Sequence, residues 1–253
     1  MLSKIKLFTD TILFFLRFRW IKGDDLTSFF YRALLSQDKR SKKGLFISPG
    51  NYYEFGVGWG GTLLKYIKAL KTYCSLKQKS LDSFHIFGFD SFEGLPEKKS
   101  PKDDLKRWHK GLFSNDLSII EKKVKSRGIN LNRGSIRFFK GYFEETLTSQ
   151  LRTELSKYPP SIVNIDCDYY SSTITVLRWL RPILQSGTLF YFDDIWSFCG
   201  HPDYGEIAAI REFNEEENGL LTPYPGIGLN SQVYIFSRKN FEYTNEPVNN
   251  KED

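Results

Sequence analysis

The segment EFGVGWGGT, residues 54–62, constrains this chain more than any other stretch of it. It ends a short apolar run and opens a stretch in which Leu63, Leu64, Ile67 and Leu70 recur at helical spacing. A strand, a glycine turn and a helix in that order form a unit whose helix packs back onto a parallel sheet. Gly56, Gly58 and Gly61 match G-x-G-x-x-G, in which the glycines permit a tight turn and let a ligand approach the backbone.

The pattern repeats along the chain. Strands are expected at 52–57, 84–89, 135–140, 162–165, 187–192 and 231–237, and helices at 62–72, 116–127, 144–158, 172–184 and 204–214. Gly128 reads as a helix stop, Ser171 or Ser172 as a helix cap, and 97–110 as a long polar loop. Such alternation implies an α/β fold with a doubly wound, mostly parallel, seven-stranded sheet. Residues 1–45 are read as an N-terminal helical extension, 46–240 as one domain and 241–253 as a polar tail. Ligands of such sheets lie at the carboxyl ends of the strands, beside the topological switch point. The residues falling there are Gly56, Asp90, Asp166 and Asp193.

Composition narrows the partners. The net charge is +6 among 26% charged residues, and no nucleic-acid motif accompanies it; the basic residues are read as a solvated face, with no nucleic-acid partner. Three widely spaced cysteines without a CxxC pair argue against structural zinc and suit a reducing cytoplasm. Residues 1–22 carry a basic amphipathic pattern too short in its apolar run to span a bilayer. Docking on the domain or on a second subunit is favoured over membrane contact.

The glycine pattern alone fits a nicotinamide dinucleotide or S-adenosylmethionine. Glu54 lies inside the strand, where a dinucleotide site wants an apolar residue and a methyltransferase uses an acid for the cationic methionine end. Asp90, ending the next strand, can accept from both ribose hydroxyls. It lies 29 residues beyond Gly61, against a usual interval of about 20, and the polar insert 73–83 accounts for the excess. No Tyr-x-x-x-Lys hydride-transfer set supports an NAD(P)-dependent oxidoreductase, which stands as the alternative beside a catalytically inactive cofactor-binding protein.

Five segments together resemble the macrocin O-methyltransferase family, which methylates sugar hydroxyls on antibiotics and related natural products: EFGVGWGGT (54–62), GFDSFEGLPE (88–97), KGYFEETL (140–147), DCDYYSST (166–173) and FDD (192–194). The resemblance covers about residues 50–215. It implies a class I methyltransferase fold, Rossmann-like in outline, and dependence on Mg²⁺. S-adenosylmethionine would be held by Glu54, Gly56 and Asp90, with Gly58, Gly60, Thr62, Ser91 and Asp166 beside them and Gly141 and Tyr142 near the adenine. Asp166, Asp193 and Asp194 would be the metal ligands and Asp168 the general base. Two departures stand out: Cys167 replaces the family's usual glycine, and the loop 195–203 is longer and more aromatic, which bears on the acceptor.

The chemistry points the same way. A sugar hydroxyl is a weak nucleophile, and a divalent metal that binds it lowers its pKa and fixes its position. Hard oxygen ligands suit Mg²⁺. Asp166 and Asp193-Asp194 end strands expected to be neighbours, and three converging acids repel unless a cation lies between them. Asp168 is placed to take the proton, and His201 is a second candidate base. Trp196, Phe198 and Tyr204 are candidates for the acceptor pocket. The acceptor is expected to be a small molecule, a sugar or glycosylated metabolite, and a homo-oligomer is left open.

Overall fold

The computed structural model describes residues 26–44, 49–216, 219–225 and 231–239. The basic amphipathic segment 1–22 and the tail 241–253 lie outside them.

Five strands run parallel in the order β3-β2-β1-β4-β5: β1 (Tyr52–Phe55), β2 (Ile86–Asp90), β3 (Ile136–Lys140), β4 (Ile162–Ile165) and β5 (Leu189–Phe192). The sheet continues with β7 (Gln232–Ser237), antiparallel to β5, and ends with β6 (Leu220–Tyr224), antiparallel to β7. β1, β4 and β5 are buried along their whole length, as parallel strands covered on both faces must be. The expected seven strands are present, and β6 is the one the sequence pattern did not place. Its Pro223 argues against a central strand; as the sheet's last strand β6 pairs on one side only, where proline is tolerated.

One face is covered by α1 (Leu26–Ser41), α2 (Gly61–Lys77) and α3 (Leu117–Ser126). Phe30 and Leu34 of α1 are fully buried with Tyr52, Tyr66 and Tyr191 in a single core, each apolar side chain contributing about 2 kcal/mol relative to exposure. Buried polar bonds reinforce α1: Gln37 Nε2 donates to the Ser161 carbonyl at 2.7 Å, and Asp38 accepts from Tyr73 and Lys79 at 2.9 and 3.0 Å. The helix is thus continuous with the α/β core. The opposite face carries α4 (Phe143–Thr146), α5 (Ser149–Leu155), α6 (Tyr170–Leu180) and α7 (Gly205–Glu215).

Much of the aromatic content fills these layers. Tyr52 stacks on Tyr66 at 4.0 Å between ring centroids, and Phe55, Phe89 and Phe139 form a ladder at 4.6 and 4.8 Å. Two expected elements differ in detail. The helix expected over 144–158 is two helices, because Thr148 caps a new one by accepting from Leu151 N at 3.1 Å. α6 starts at Tyr170, with neither Ser171 nor Ser172 as its cap; Asp103, far away in sequence, accepts from Ser171 N at 2.9 Å. Gly128, at φ 74°, follows the end of α3.

The register explains the site. Phe55 pairs with Phe89 and Ile165, and Ile165 with Phe192. The next residue on each strand is Gly56, Asp90, Asp166 and Asp193, so these fall in one row at the carboxyl edge. The sheet's switch point lies there, between β1 and β4.

Candidate active site

A cavity of about 620 Å³ opens at this edge, a volume typical of a small-molecule site. Its wall begins with the turn after β1. Gly56 adopts φ 85°, and a Cβ there would stand 1.7 Å from the Asp166 carbonyl oxygen. Gly58 adopts φ 49° with nothing within 4 Å of a Cβ. The first glycine is required by the close approach of the chain to the end of β4; the second leaves open space beside the cavity.

Asp90 holds this turn. Its Oδ2 accepts from Gly58 N at 2.8 Å and its Oδ1 from Phe92 N at 2.6 Å. Each oxygen keeps a further lone pair for a ligand. The Ser91 hydroxyl donates to the Gly94 carbonyl at 2.9 Å, so it is engaged within its own turn. Gly141, at φ 136°, donates its N–H to the Asp90 carbonyl at 3.0 Å, which brings the loop after β3 to the same wall.

Glu54 is fully buried. Tyr52 donates to its Oε2 at 2.8 Å, while its Oε1 has no partner among the described residues. Burial pushes its carboxyl up to about 8, the Tyr52 hydrogen bond opposing this and the charge of Asp90 adding to it.

The acids gather at the ends of β4 and β5. Asp166, Asp193 and Asp194 each offer an oxygen, and the three oxygens lie within 4.8 Å of one another. Tyr191 donates to Asp193 Oδ1 and Ser197 to Asp194 Oδ1, both at 2.9 Å. Burial, then the repulsion of Asp193, pushes the Asp166 carboxyl well above the carboxylate range; burial likewise raises Asp194, against its bond from Ser197. Hard oxygen donors crowded at this distance fit a divalent cation. Asp168 is buried beside them in the left-handed region at φ 61°, a conformation Asp tolerates better than most residues. Burial and then the charge of Asp194 push its carboxyl up to about 8.

A flap, residues 95–112, adds Leu95, Pro96 and Leu112 to the cavity wall. Leu95 N donates to the Leu112 carbonyl at 2.8 Å and Gly111 N to the Leu95 carbonyl at 2.9 Å, closing its ends together. Within it Asp103 accepts from Lys99 N and Ser100 N as well as from Ser171 N of α6. Trp108 is buried edge-on against Tyr169 and Phe198, with ring centroids 5.8 and 5.7 Å apart.

Comparison with known proteins places this architecture. The sequence profile of the macrocin O-methyltransferases (TylF) matches residues 46–227. The chain belongs to the macrocin O-methyltransferase family. A relative from Streptomyces olivaceus, 8-demethyl-8-(2,3-dimethoxy-alpha-L-rhamnosyl)-tetracenomycin-C 4'-O-methyltransferase, is 26% identical over 151 residues, 58% of this chain and 53% of that protein. The match thus spans about half the length of that relative. Among solved structures, the O-methyltransferase NovP superposes with a TM-score of 0.59 at 17% identity, over 83% of this chain and 78% of that one. CalS11, a calicheamicin methyltransferase, gives 0.56 at 22% identity, over 82% and 79%. The fold is that of the class I methyltransferases.

In this family member the cavity is lined by Gly56, Gly58, Thr62, Asp90, Ser91, Gly141, Tyr142, Asp166, Asp168, Asp193 and Asp194. Three residues singled out from the sequence are not part of that lining. Gly60 caps the start of α2 at φ 74°; Glu54 is fully buried and bonded by Tyr52; His201 is exposed, its Nδ1 accepting from Asp203 N at 3.2 Å. Trp196, Phe198 and Tyr204 are likewise outside the lining, Phe198 packing instead on Trp108 and Tyr204. The aromatic rim comes from elsewhere: Trp59 and Phe113, 58% and 53% exposed. Arg107 and Trp108 also line the cavity. They belong to the stretch read as a polar loop, where a lone tryptophan among charges was the signal of a packed segment. Among the described residues no helix is long and apolar enough to cross a membrane.

Proposed function

We propose that this chain transfers the methyl group of S-adenosylmethionine to a hydroxyl of a sugar or glycosylated small molecule. In this reading Asp166, Asp193 and Asp194 hold Mg²⁺ and Asp168 is the base. One observation carries it: a single cavity is lined by the glycine turn with Asp90 and by the converging carboxylates. Family membership and the rhamnosyl acceptor in the relative's name support the acceptor class.

S-adenosylmethionine supplies the activated methyl carbon, and a bound divalent cation lowers the pKa of an acceptor hydroxyl. The chain's residues do the rest. The remaining lone pairs of Asp90 accept from ribose hydroxyls. Glu54, buried and outside the cavity lining, holds the strand beneath the glycine turn through its bond from Tyr52. Asp168, buried beside the three carboxylates at the cavity edge, takes the acceptor's proton. The flap, pinned by Asp103 and Trp108, excludes water.

Calorimetric titration with S-adenosylhomocysteine tests the cofactor half. The intact protein is expected to bind it, and Asp90→Ala to bind roughly a hundredfold more weakly, as befits the loss of two hydrogen bonds to a charged acceptor. Absence of binding by the intact protein refutes the reading. On a panel of glycosylated acceptors, EDTA is expected to abolish turnover and Mg²⁺ to restore it. Asp168→Asn is expected to lower kcat by about 10²–10⁴ with S-adenosylhomocysteine affinity unchanged. Full turnover in excess EDTA removes the metal clause alone.

A further inference from the structure

Two aromatic rings of the cavity have no role in the scheme above. Trp59, on the glycine turn, and Phe113, just past the flap, both line the cavity, yet they are 58% and 53% exposed. Each leaves apolar area in water that packing would remove. Phe113 carries a second cost. Its backbone lies in the left-handed region at φ 67°, which a bulky residue rarely adopts. Phe92 adopts the same region at φ 56°, but its side chain is buried, and that packing offsets the strain. Phe113 is strained and still holds its ring in the open. Backbone strain that packing does not offset points to a function.

Hydrogen bonds join the two ring-bearing segments. Asn115, two residues beyond Phe113, donates its Nδ2 to the carbonyl of Gly58, the neighbour of Trp59, and its backbone N–H to the Phe92 carbonyl at 3.3 Å. Lys123 of α3 donates to the Trp59 carbonyl at 2.8 Å and lies 5.7 Å from the centre of its ring. Leu95, Pro96 and Leu112 of the flap continue the apolar wall from Phe113. The amide that links the segments is engaged by the chain itself, its Nδ2 with Gly58 and its Oδ1 accepting from Asp116 N at 2.8 Å. This side of the cavity therefore offers rings and aliphatic carbon rather than hydrogen bonds. A purine edge or a bare sugar buried there would leave polar groups without partners, which is unfavourable. A flat group of carbon atoms has no such requirement.

We propose that Trp59 and Phe113 form a subsite for a flat apolar group attached to the acceptor's sugar, and so select a glycoside with an apolar aglycone over a free sugar. The inference rests on the methyl-transfer reading above and narrows its acceptor class. Aromatic side chains suit this task, because stacking on a flat partner adds to the gain from burying area. The two ends of one cavity then divide the acceptor between them. The carboxylates at the ends of β4 and β5 meet the hydroxyl that receives the methyl group, and the two rings hold the part of the molecule that has no hydroxyls to offer.

N-phenyl-1-naphthylamine, a neutral flat dye whose fluorescence rises in apolar surroundings, reads the subsite without turnover. Protein saturated with S-adenosylhomocysteine is expected to bind it, and Trp59→Ala and Phe113→Ala each to bind it at least about tenfold more weakly. Trp59→Phe is expected to keep most of the affinity. Phenyl α-L-rhamnoside is expected to displace the dye, and methyl α-L-rhamnoside at the same concentration to leave it bound. S-adenosylhomocysteine affinity is expected to be unchanged in every variant. Phe113→Gly is expected to lose the dye and yet melt at a higher temperature, because glycine takes the left-handed conformation without strain. No dye binding by the saturated protein, or unchanged binding in both alanine variants, overturns the inference. So does equal displacement by the two glycosides, or a lowered melting temperature in Phe113→Gly, the mark of a ring that holds the fold. A tenfold loss of S-adenosylhomocysteine affinity in the alanine variants assigns the rings to the adenine and overturns it too. All of these leave the methyl-transfer reading standing; failure of the intact protein to bind S-adenosylhomocysteine strikes at that reading itself.

Discussion

Two glycines in one turn carry different burdens. Gly56 lies where the turn after β1 meets the backbone of Asp166, and a backbone oxygen cannot yield to a Cβ 1.7 Å away. Gly56→Ala is expected to cost more than about 3 kcal/mol in urea-unfolding stability. Gly58 has open space around it, so Gly58→Ala pays only left-handed strain, roughly 1–2 kcal/mol. Its principal effect is expected on S-adenosylhomocysteine affinity. Equal losses of stability in the two variants would contradict this division. The motif G-x-G-x-x-G made both positions legible in the sequence and did not rank them, because their difference lies in a contact between strands 110 residues apart (Gly56 to Asp166). Glu54 was legible as an acid in a central strand. That its carboxylate is bonded by Tyr52, outside the cavity lining, depends on packing, which spacing does not encode.

At the scale of elements the flap is the main addition. Residues 97–110 are polar in composition, and composition alone reads as a solvated loop. The fold makes the segment part of the cavity wall and buries Trp108 and Asp103. Asp103 is fully buried and ties two flap amides to one amide at the start of α6. Asp103→Ala is expected to destabilise the protein by about 2–4 kcal/mol. In hydrogen exchange the amides of residues 95–112 are expected to lose protection before those of β1 and β4; uniform loss across the sheet would show that the flap is no separate unit. The remaining elements were readable because alternating apolar runs with acids or glycines at their ends are what a doubly wound sheet demands. β6 escaped because Pro223 and its edge position suppress the strand pattern, and the divided helix escaped because Thr148 acts as a cap only through its hydroxyl geometry.

Over the whole molecule, buried carboxyls set how stability responds to pH. Glu54 has an ordinary value of 4.5 and is raised to about 8 by burial. In the unfolded chain it therefore loses its proton at a lower pH than in the fold. Stability from this group is full below about pH 4.5 and is lost as pH rises through 8. The cofactor-free protein is expected to melt at progressively lower temperature from pH 5 to pH 8, and Glu54→Gln to flatten that slope. A parallel decline in both proteins would exclude Glu54 as its source. Architecture and site position were thus legible from alternation and strand-end chemistry, whereas the energetic state of the acids needed burial, a property of the assembled sheet. One contact carries beyond this protein alone. Phe198, in the loop after β5, packs on Trp108 of the flap, so those two segments must be inherited as a pair. A chimera that exchanges residues 195–204 with a relative's loop while keeping the native flap would strip Trp108 of a neighbour. Exchanging either segment calls for transplanting both.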